Sequence, residues 1–385
     1  MKNATFDVVM LSTAHPATNH RIFYREAKTL ADRGFKVAVV ARHPKSEIVD
    51  HIPITALPTA KTRIKRLLLG WAALQAALRV NGRVYIFHDP ELFGIGLLLR
   101  VLGRKVIYDA HENLPKLILQ KDWLPLPLRY MFVPAVWLME WIGSRLLSGV
   151  MVAVPAMQRR FPASHTILVR NFPTGEALQA LASDIPLSRR KNVVIYAGGL
   201  TEIRGIRELV RAFEGTENAE LWLVGGFDST IFKNEVLSQA PPNVRWLGSK
   251  PHPELLELYG EAKLGVSLLY PTPNHRMSLP VKLFEYLAAG LPVIASNFPE
   301  FEEIMKGCGV QVDPHSVADI RSAIQQLLAS PAELEKMSER GRQRVLSSFS
   351  WEPEGERLVT LCARLTGRRP IVYGGYAAHS VQQAR

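Results

Sequence analysis

The sequence predicts an α/β protein built from two parallel-sheet domains, and three observations carry that expectation. The chain has 385 residues, more than one hydrophobic core usually serves. It opens with strand, helix and strand within about thirty residues, the start of a doubly wound parallel sheet. A second series of short apolar runs, each closed by glycine or a polar turn, begins near Val193 and does not repeat the first half. Hydrophobic residues at 47% and charged residues at 21% are a globular composition. The net charge of +12 and a pI of about 9.7 favour anionic partners: nucleic acid, acidic lipid headgroups or phosphorylated substrates. The basic residues are dispersed and no stacking aromatics are interleaved with them, which argues against nucleic acid. Cys308 and Cys362 are too few for a disulfide framework or a thiolate metal site and fit a reducing cytoplasm.

Asp7 to Leu11 is an apolar run that predicts the first buried strand, and the single lysine before it gives no signal-peptide pattern. The segment STAHPATNHR predicts a loop, Ile22 to Asp32 a helix closed by Gly34, and Lys36 to Val40 the next strand. The first turn has no G-x-G-x-x-G, which removes the main support for a nicotinamide enzyme. From Arg63 to Arg79, apolar residues including Trp71 recur at helical spacing behind a basic start, a pattern shared by core-packed helices and helices lying on anionic membranes. Leu124 to Ile142 approaches the length of a membrane span, yet Arg129, Glu140 and three prolines make spanning costly. That stretch is expected to be buried or interfacial, and its aromatic residues point to peripheral membrane contact. Arg83 to Phe87 and Lys105 to Tyr108 predict strands ending in HDPEL and DAHENLP. Polar residues at the carboxyl ends of parallel strands are where open α/β sheets bind ligands. His88, Asp89, His111 and Glu112 lack the i, i+4 spacing of helical metal ligands, and no third cluster completes a metal site. Val150 to Val154 and Thr166 to Val169 add strands, and the polar stretch Thr174 to Lys191 has the character of a linker.

The second half begins with the strand Asn192 to Ala197 and the turn Gly198-Gly199, followed by Arg204 and a helix after Gly205. Glycines let the backbone approach a phosphate closely, and a guanidinium supplies a charge that is never lost. Strands follow at Glu220 to Val224, Val244 to Leu247 and Leu264 to Leu268, with Gly225 and Gly226 after the first of them. Pro280 to Ala289 then predicts an amphipathic helix stopped by Gly290 and followed by the strand Pro292 to Ala295. Its start, Met277 to Val281, presents free amides and a positive dipole end, the elements of an anion site. Lys282 and Glu285 share one face of this helix. The plain alternative is an ordinary helix–strand unit with a surface salt pair. Helices over Val317 to Leu328, Ala332 to Leu346 and Glu354 to Leu365 complete the chain before the tail from Gly367 to Arg385, which has little to bury.

The stretch KLFEYLAAGLPVIAS resembles the signature of the group 1 glycosyltransferases, retaining enzymes of the GT-B fold that use nucleotide sugars. The resemblance implies two Rossmann-like parallel-sheet domains facing across a cleft. The first domain is expected over 1–172, the donor domain over 173–351, a final helix at about 352–366 packing back on the first domain, and a tail over 367–385. It implies that Glu285 holds the donor ribose, that Met277, Ser278, Leu279, Pro280, Val281 and Lys282 wrap the donor phosphate, and that Gly198, Gly199, Arg204 and Gly225 line the same pocket. His88 matches the family's histidine near the anomeric centre. His15, Asn19, Arg21, His111 and Glu112 fall on the acceptor side. Two positions depart from the family pattern: Met277 stands where a first glutamate is usual, and Gly199 where an arginine precedes the leucine. Lys282 or Arg276 is the candidate replacement for that cation.

The expected activity is transfer of a sugar from a UDP- or GDP-sugar to a hydroxyl of a lipid-linked or oligosaccharide acceptor. The resemblance implies retention of configuration, no metal or other cofactor, and a place in surface polysaccharide assembly such as O-antigen, capsule or exopolysaccharide. Catalytic roles fall to His88, Arg204 and Lys282. The implied location is cytoplasmic, peripheral on the inner face of a bacterial inner membrane, with nucleotide-sugar, acceptor and anionic membrane surface as partners. Two other readings fit part of the pattern: a nucleotide-sugar epimerase on the same kind of fold, and a noncatalytic nucleotide-sugar-binding protein.

Overall fold

Apolar runs of four to six residues make parallel strands here because both faces of each sheet are covered, so the strands are buried throughout. The computed structural model describes residues 5–58, 63–110, 113–119, 124–183, 185–273 and 275–371. The chain forms two units, one of Met1–Arg170 with Pro353–Arg385 and the other of Asn171–Glu352.

The first unit is an eight-stranded sheet of β1 (Phe6–Pro16), β2 (Val37–Arg42), β3 (Glu47–Val49), β4 (Ile52–Leu57), β5 (Gly82–Phe87), β6 (Lys105–Ala110), β7 (Gly149–Val152) and β8 (Thr166–Leu168). Their order is β3-β4-β2-β1-β5-β6-β7-β8. All neighbours are parallel except the hairpin β3–β4, which the sequence reading did not anticipate. Strand order reverses between β1 and β5, so the carboxyl ends of these two strands flank the crevice where open sheets bind ligands.

Several expectations are corrected in this unit. Ser12 to Pro16 extends β1 and is not a loop: Pro16 pairs with Arg42 after a register shift, and Thr13 and Ala14 donate their amides to the Asp89 carboxylate. The helix that follows starts earlier than expected, as a π-helix over His20–Ala27 capped by Asn19, then continues as α-helix over Lys28–Asp32. The segment expected to be buried or interfacial forms the helix Leu126–Leu146. It is buried chiefly at Glu140, Gly143 and Ser144. A side chain on Gly143 would meet the Phe93 ring at 2.0 Å, so glycine permits the close docking of this last turn. Upstream of that point Leu126, Tyr130, Met131, Trp137, Leu138, Trp141 and Ile142 are exposed. The side chains of residues 63–68, the basic start of the helix Arg63–Val80, lie outside the described residues, whereas Trp71 is exposed.

The second unit is a six-stranded, wholly parallel sheet of β9 (Val193–Ala197), β10 (Glu220–Val224), β11 (Val244–Gly248), β12 (Leu264–Ser267), β13 (Val293–Ser296) and β14 (Gly309–Val312). The order β11-β10-β9-β12-β13-β14 is the doubly wound dinucleotide-type arrangement, with its switch point between β9 and β12. The stretch expected to be a linker belongs to this unit's core instead. Leu178, Leu181 and Leu187 are buried, and the Arg190 guanidinium bolts the segment to the carbonyls of Tyr259, Ala262 and Ala289. Burial and the nearby Arg342 lower the Arg190 pKa to about 10. The chain crosses between the units at Arg170–Asn171 and again at Glu352–Pro353, two residues before the expected first boundary and one beyond the expected second. The helix Trp351–Thr366 therefore begins in one unit and ends in the other. Within the first unit, Glu354 at its start accepts from the backbone and side chain of Arg170.

Candidate functional site

In the second unit, three chain segments converge at the switch point. The first is the turn after β9. Gly198 has φ +138° and Gly225, after β10, has φ +144°; a Cβ on Gly225 would fall 1.9 Å from the Gly198 carbonyl oxygen. Only glycine lets the two turns meet so closely. The second is the 3-10 turn Glu202–Arg204, closed by the left-handed Gly205 (φ +61°). The third is the helix Val281–Ala288. Pro280 caps it and is not its first helical residue, since its ψ of 126° is extended. No side chain caps the first turn; Leu283 N turns back to Pro280 O, and the amides of Val281 and Lys282 point out of the helix start towards ligand or water. Gly290 (φ +71°) closes the helix as a Schellman turn, with Leu291 N bonded to Tyr286 O and Gly290 N to Leu287 O.

Two cations point at the glycine turn. A Cβ on Gly198 would come 2.8 Å from Lys282 Nζ and 3.4 Å from Arg204 Nη1. Lys282 Nζ lies 3.9 Å from the centre of the Tyr196 ring, whose hydroxyl donates to Gly199 O at 2.9 Å. Desolvation, and then repulsion from Arg204, lower the Lys282 pKa to about 7, against a partial opposing pull from Glu285. Among the described residues no carboxylate forms an ion pair with either Lys282 or Arg204. Two positive groups held together beside an uncapped helix start and a glycine turn form a receptor for a multiply charged anion. Arg276 is not the second cation here: its side chain is exposed and donates to Pro271 O.

Glu285, one turn along from Lys282, is met by the buried Tyr259 hydroxyl at 3.5 Å. Tyr286, on the same helix, accepts the Ala197 amide at 2.8 Å and so ties the helix to the end of β9. Neither tyrosine was singled out from the sequence, where both look like ordinary core aromatics. Ser278 is turned inward to the His275 carbonyl, Leu279 packs against the core, and the Met277 side chain lies outside the described residues.

The first unit's switch point is of another kind. Arg21, expected on the acceptor side, is 7% exposed. Its guanidinium forms two 2.8 Å bonds to Asp109, lies 3.0 Å from Glu26 and donates to Val169 O. Asn19 is spent as the cap of the π-helix, accepting from the amides of Arg21 and Ile22. His88, expected near the anomeric centre, has a side chain with no exposed surface. Its Nδ1 lies 3.0 Å from Asp109 and its Nε2 3.7 Å from Glu26. Glu26, His88 and Asp109 bring potential metal-ligand atoms within 4.8 Å of one another, but Arg21 already occupies the place of a cation among them. Neither acid was singled out as part of a site from the sequence. His15 is half-buried, its side chain 37% exposed, with Nε2 3.5 Å from Asp89 Oδ1. His111 and Glu112 lie outside the described residues.

The profile of the family described as glycosyl transferases group 1 matches residues 180–344. Glycogen synthase of Mycobacterium tuberculosis is 27% identical over 197 residues, 46% of this chain and 44% of that protein, so the chain spans less than half of that relative. MMP alpha-(1->4)-mannosyltransferase of Mycolicibacterium hassiacum is 22% identical over 89% of this chain and 93% of its own length. O-antigen chain mannosyltransferase B of Escherichia coli is 27% identical over 41% of this chain and 42% of its own. Among solved structures, sucrose-phosphate synthase of Thermosynechococcus elongatus superposes with a TM-score of 0.74 at 20% identity, covering 94% of this chain and 99% of that one. HepE of Anabaena, solved in complex with UDP, superposes with a TM-score of 0.69 at 13% identity, covering 93% and 99%. The chain has the GT-B fold, and its residues 180–344 match the group 1 glycosyl transferases.

Proposed function

We propose that this protein transfers a sugar from a nucleotide-sugar donor to a hydroxyl acceptor. The observation that carries the reading is the convergence of Lys282 and Arg204 on the Gly198-Gly199 turn. As the bond from the anomeric carbon to the donor phosphate breaks, charge builds on the leaving diphosphate. Preorganised cations and amides stabilise it there. This chemistry is assigned to the chain's own groups, with no metal or other cofactor. Glu285, oriented by Tyr259, accepts hydrogen bonds from the ribose diol. The donor is a UDP- or GDP-sugar, and the HepE complex supports a uridine nucleotide. Configuration at the anomeric carbon is retained, as in the family the signature resembles.

The acceptor in this reading is lipid-linked and belongs to surface polysaccharide assembly, supported by the O-antigen relative. The protein works at the cytoplasmic face of a bacterial inner membrane. No helix among the described residues is long and apolar enough to cross a membrane, and the helix Leu126–Leu146 offers exposed Trp137, Trp141 and Tyr130, the residue types that favour the interface.

The primary test is the melting temperature with UDP, GDP and their glucose and mannose conjugates, since a ligand of the folded state raises it by mass action. One base is expected to act and Lys282→Ala to abolish its effect; no shift with any nucleotide would overturn the reading. An inverted product by NMR would remove retention alone. Failure to sediment with anionic vesicles at low salt would remove the membrane.

A further inference from the structure

Resting on the membrane part of this reading, we propose that the helix Leu126–Leu146 lies in the plane of the bilayer and sinks into the acyl chains of one leaflet, an attachment by hydrocarbon that outlasts salt. The helix turns its polarity inward. The positions that face the body of the first unit are chiefly Arg129, Val133, Val136, Glu140 and Gly143, spaced alternately four and three apart, a narrow seam along most of its length. Arg129 donates to the carbonyls of Leu124 and Leu119. Glu140 is 1% exposed and accepts from Tyr108 at 3.2 Å and from Arg160 at 2.5 Å. Between Leu126 and Ile142 every position outside the seam except Met139 is exposed, and none of those is charged. At about 100° per residue they cover roughly two-thirds of the circumference.

That pattern sets the occupant. A helix resting on headgroups turns a charged face to the water and keeps one apolar face for the lipid, whereas the outward arc here carries no charge to keep wet. A second copy of the chain, or a partner helix, would bury one stripe and leave much of Leu126, Tyr130, Trp137, Leu138, Trp141 and Ile142 in water. Hydrocarbon covers the whole arc at once, and a helix satisfies its own backbone groups, as immersion requires. The seam fixes the orientation. Because the body lies along the helix, the helix cannot cross the bilayer and runs parallel to its surface. Charge complements lipid at the rim. Arg145 in the last turn has its guanidinium carbon 3.8 Å from the centre of the Trp141 ring, and Arg100 donates to Leu146 O at 2.9 Å. Among the described residues of this helix and of the helix Leu114–Leu119, the only acid is the buried Glu140. Tryptophan and arginine at one end are residues that settle at headgroup depth, where the cation meets lipid phosphate. The apolar surface continues at the end of the helix Phe93–Val101, where Val101 is 83% exposed.

The test floats the full chain with vesicles of phosphatidylcholine alone and of phosphatidylcholine with phosphatidylglycerol. Binding is expected to persist within about threefold in about 1 M salt, where screening removes attraction to headgroups, and neutral vesicles should bind within about tenfold of anionic ones. Lipids brominated midway along the acyl chain should quench tryptophan fluorescence, and the double change Trp137→Phe, Trp141→Phe should remove most of that quenching. Trp137→Ser and Trp141→Ser should each lower partitioning about tenfold with the nucleotide-induced melting shift unchanged. Binding to anionic vesicles that salt abolishes overturns the proposal and leaves the membrane reading standing, as does quenching confined to headgroup-labelled lipid. Binding to no vesicle overturns both. A lipid-free dimer that the serine variants dissociate, with no flotation, assigns the face to a second copy of the chain and likewise overturns both. Should a serine variant fail to fold, the salt dependence and quenching of the unaltered protein still decide.

Discussion

The switch points of the two sheets occupy equivalent places in their folds and handle charge in opposite ways. In the first unit, Arg21 is enclosed by Asp109 and Glu26, with His88 bridging the two acids. Burial is the largest single influence on the Arg21 pKa and lowers it, but Asp109 and Glu26 together outweigh it and the pKa is raised. In the second unit, Lys282 and Arg204 lie side by side with no such enclosure, and the lysine is pushed down to about 7. A balanced buried network serves the fold, and removing one member leaves uncompensated charge. An unbalanced pair is a standing cost that a bound anion relieves. In the proposed reading the unbalanced switch point is the one that takes the charged ligand.

The largest expected effect breaks the first network. Arg21→Met should destabilise the protein by about 3–5 kcal/mol in urea unfolding, whereas Lys282→Met should not. Next, Lys282→Met should weaken binding of the donor nucleotide by about 100-fold, the loss of a charge-assisted contact. It should at the same time raise the ligand-free melting temperature by about 3 °C. Opposite signs on stability for two cation-to-methionine changes are the sharpest form of the contrast; equal signs would erase it. A smaller effect comes from pH. Below about 7 Lys282 carries its charge and attracts the diphosphate; as pH rises through about 7 it loses the proton in the free protein. Affinity for UDP-glucose or GDP-mannose, whose diphosphate does not titrate there, should therefore fall by up to about tenfold per unit above neutrality. Lys282→Arg should flatten that profile in isothermal titration. Smallest is Tyr259→Phe, which frees Glu285 from one hydrogen bond. It should weaken the ribonucleotide about threefold and the 2′-deoxy analogue less.

Much of this was legible before any coordinates. Asn192 to Ala197, Leu264 to Leu268 and Pro292 to Ala295 read as strands because parallel strands covered on both faces carry unbroken apolar runs. Gly290 marked a helix end because a left-handed residue was needed there. Lys282, Arg204 and the paired glycines were named as an expected anion site, and they do lie together in the second unit. The first unit hid its logic in pairs distant along the chain. Arg21 and Asp109 are 88 residues apart, and Ser12 and Asp89 are 77 apart, so no window of sequence shows that one is a core ion pair and the other a clasp. Arg21 was therefore taken for a ligand contact, and Asp89 for part of a polar cluster that could meet a ligand or a metal, not for a clasp. The stretch 174–191 was read as a linker because Leu178, Leu181 and Leu187 are too few and too irregularly spaced to announce a buried face. Of the two alternatives read for the stretch 124–142, buried or interfacial, burial does not hold, since Leu126, Trp137 and Trp141 are exposed; hydrophobic composition reports a preference to leave water and not what provides the shelter.

The two crossings of the chain have a bearing on how the molecule is made. Asn171–Glu352 is one uninterrupted stretch, whereas its neighbour is assembled from segments on either side of it. Leu358, Leu361 and Cys362, all buried, are made after the whole of that stretch. Since domains fold as units during synthesis, the portion begun first is completed last, and its sheet awaits this closing helix while the later-born portion is already sealed.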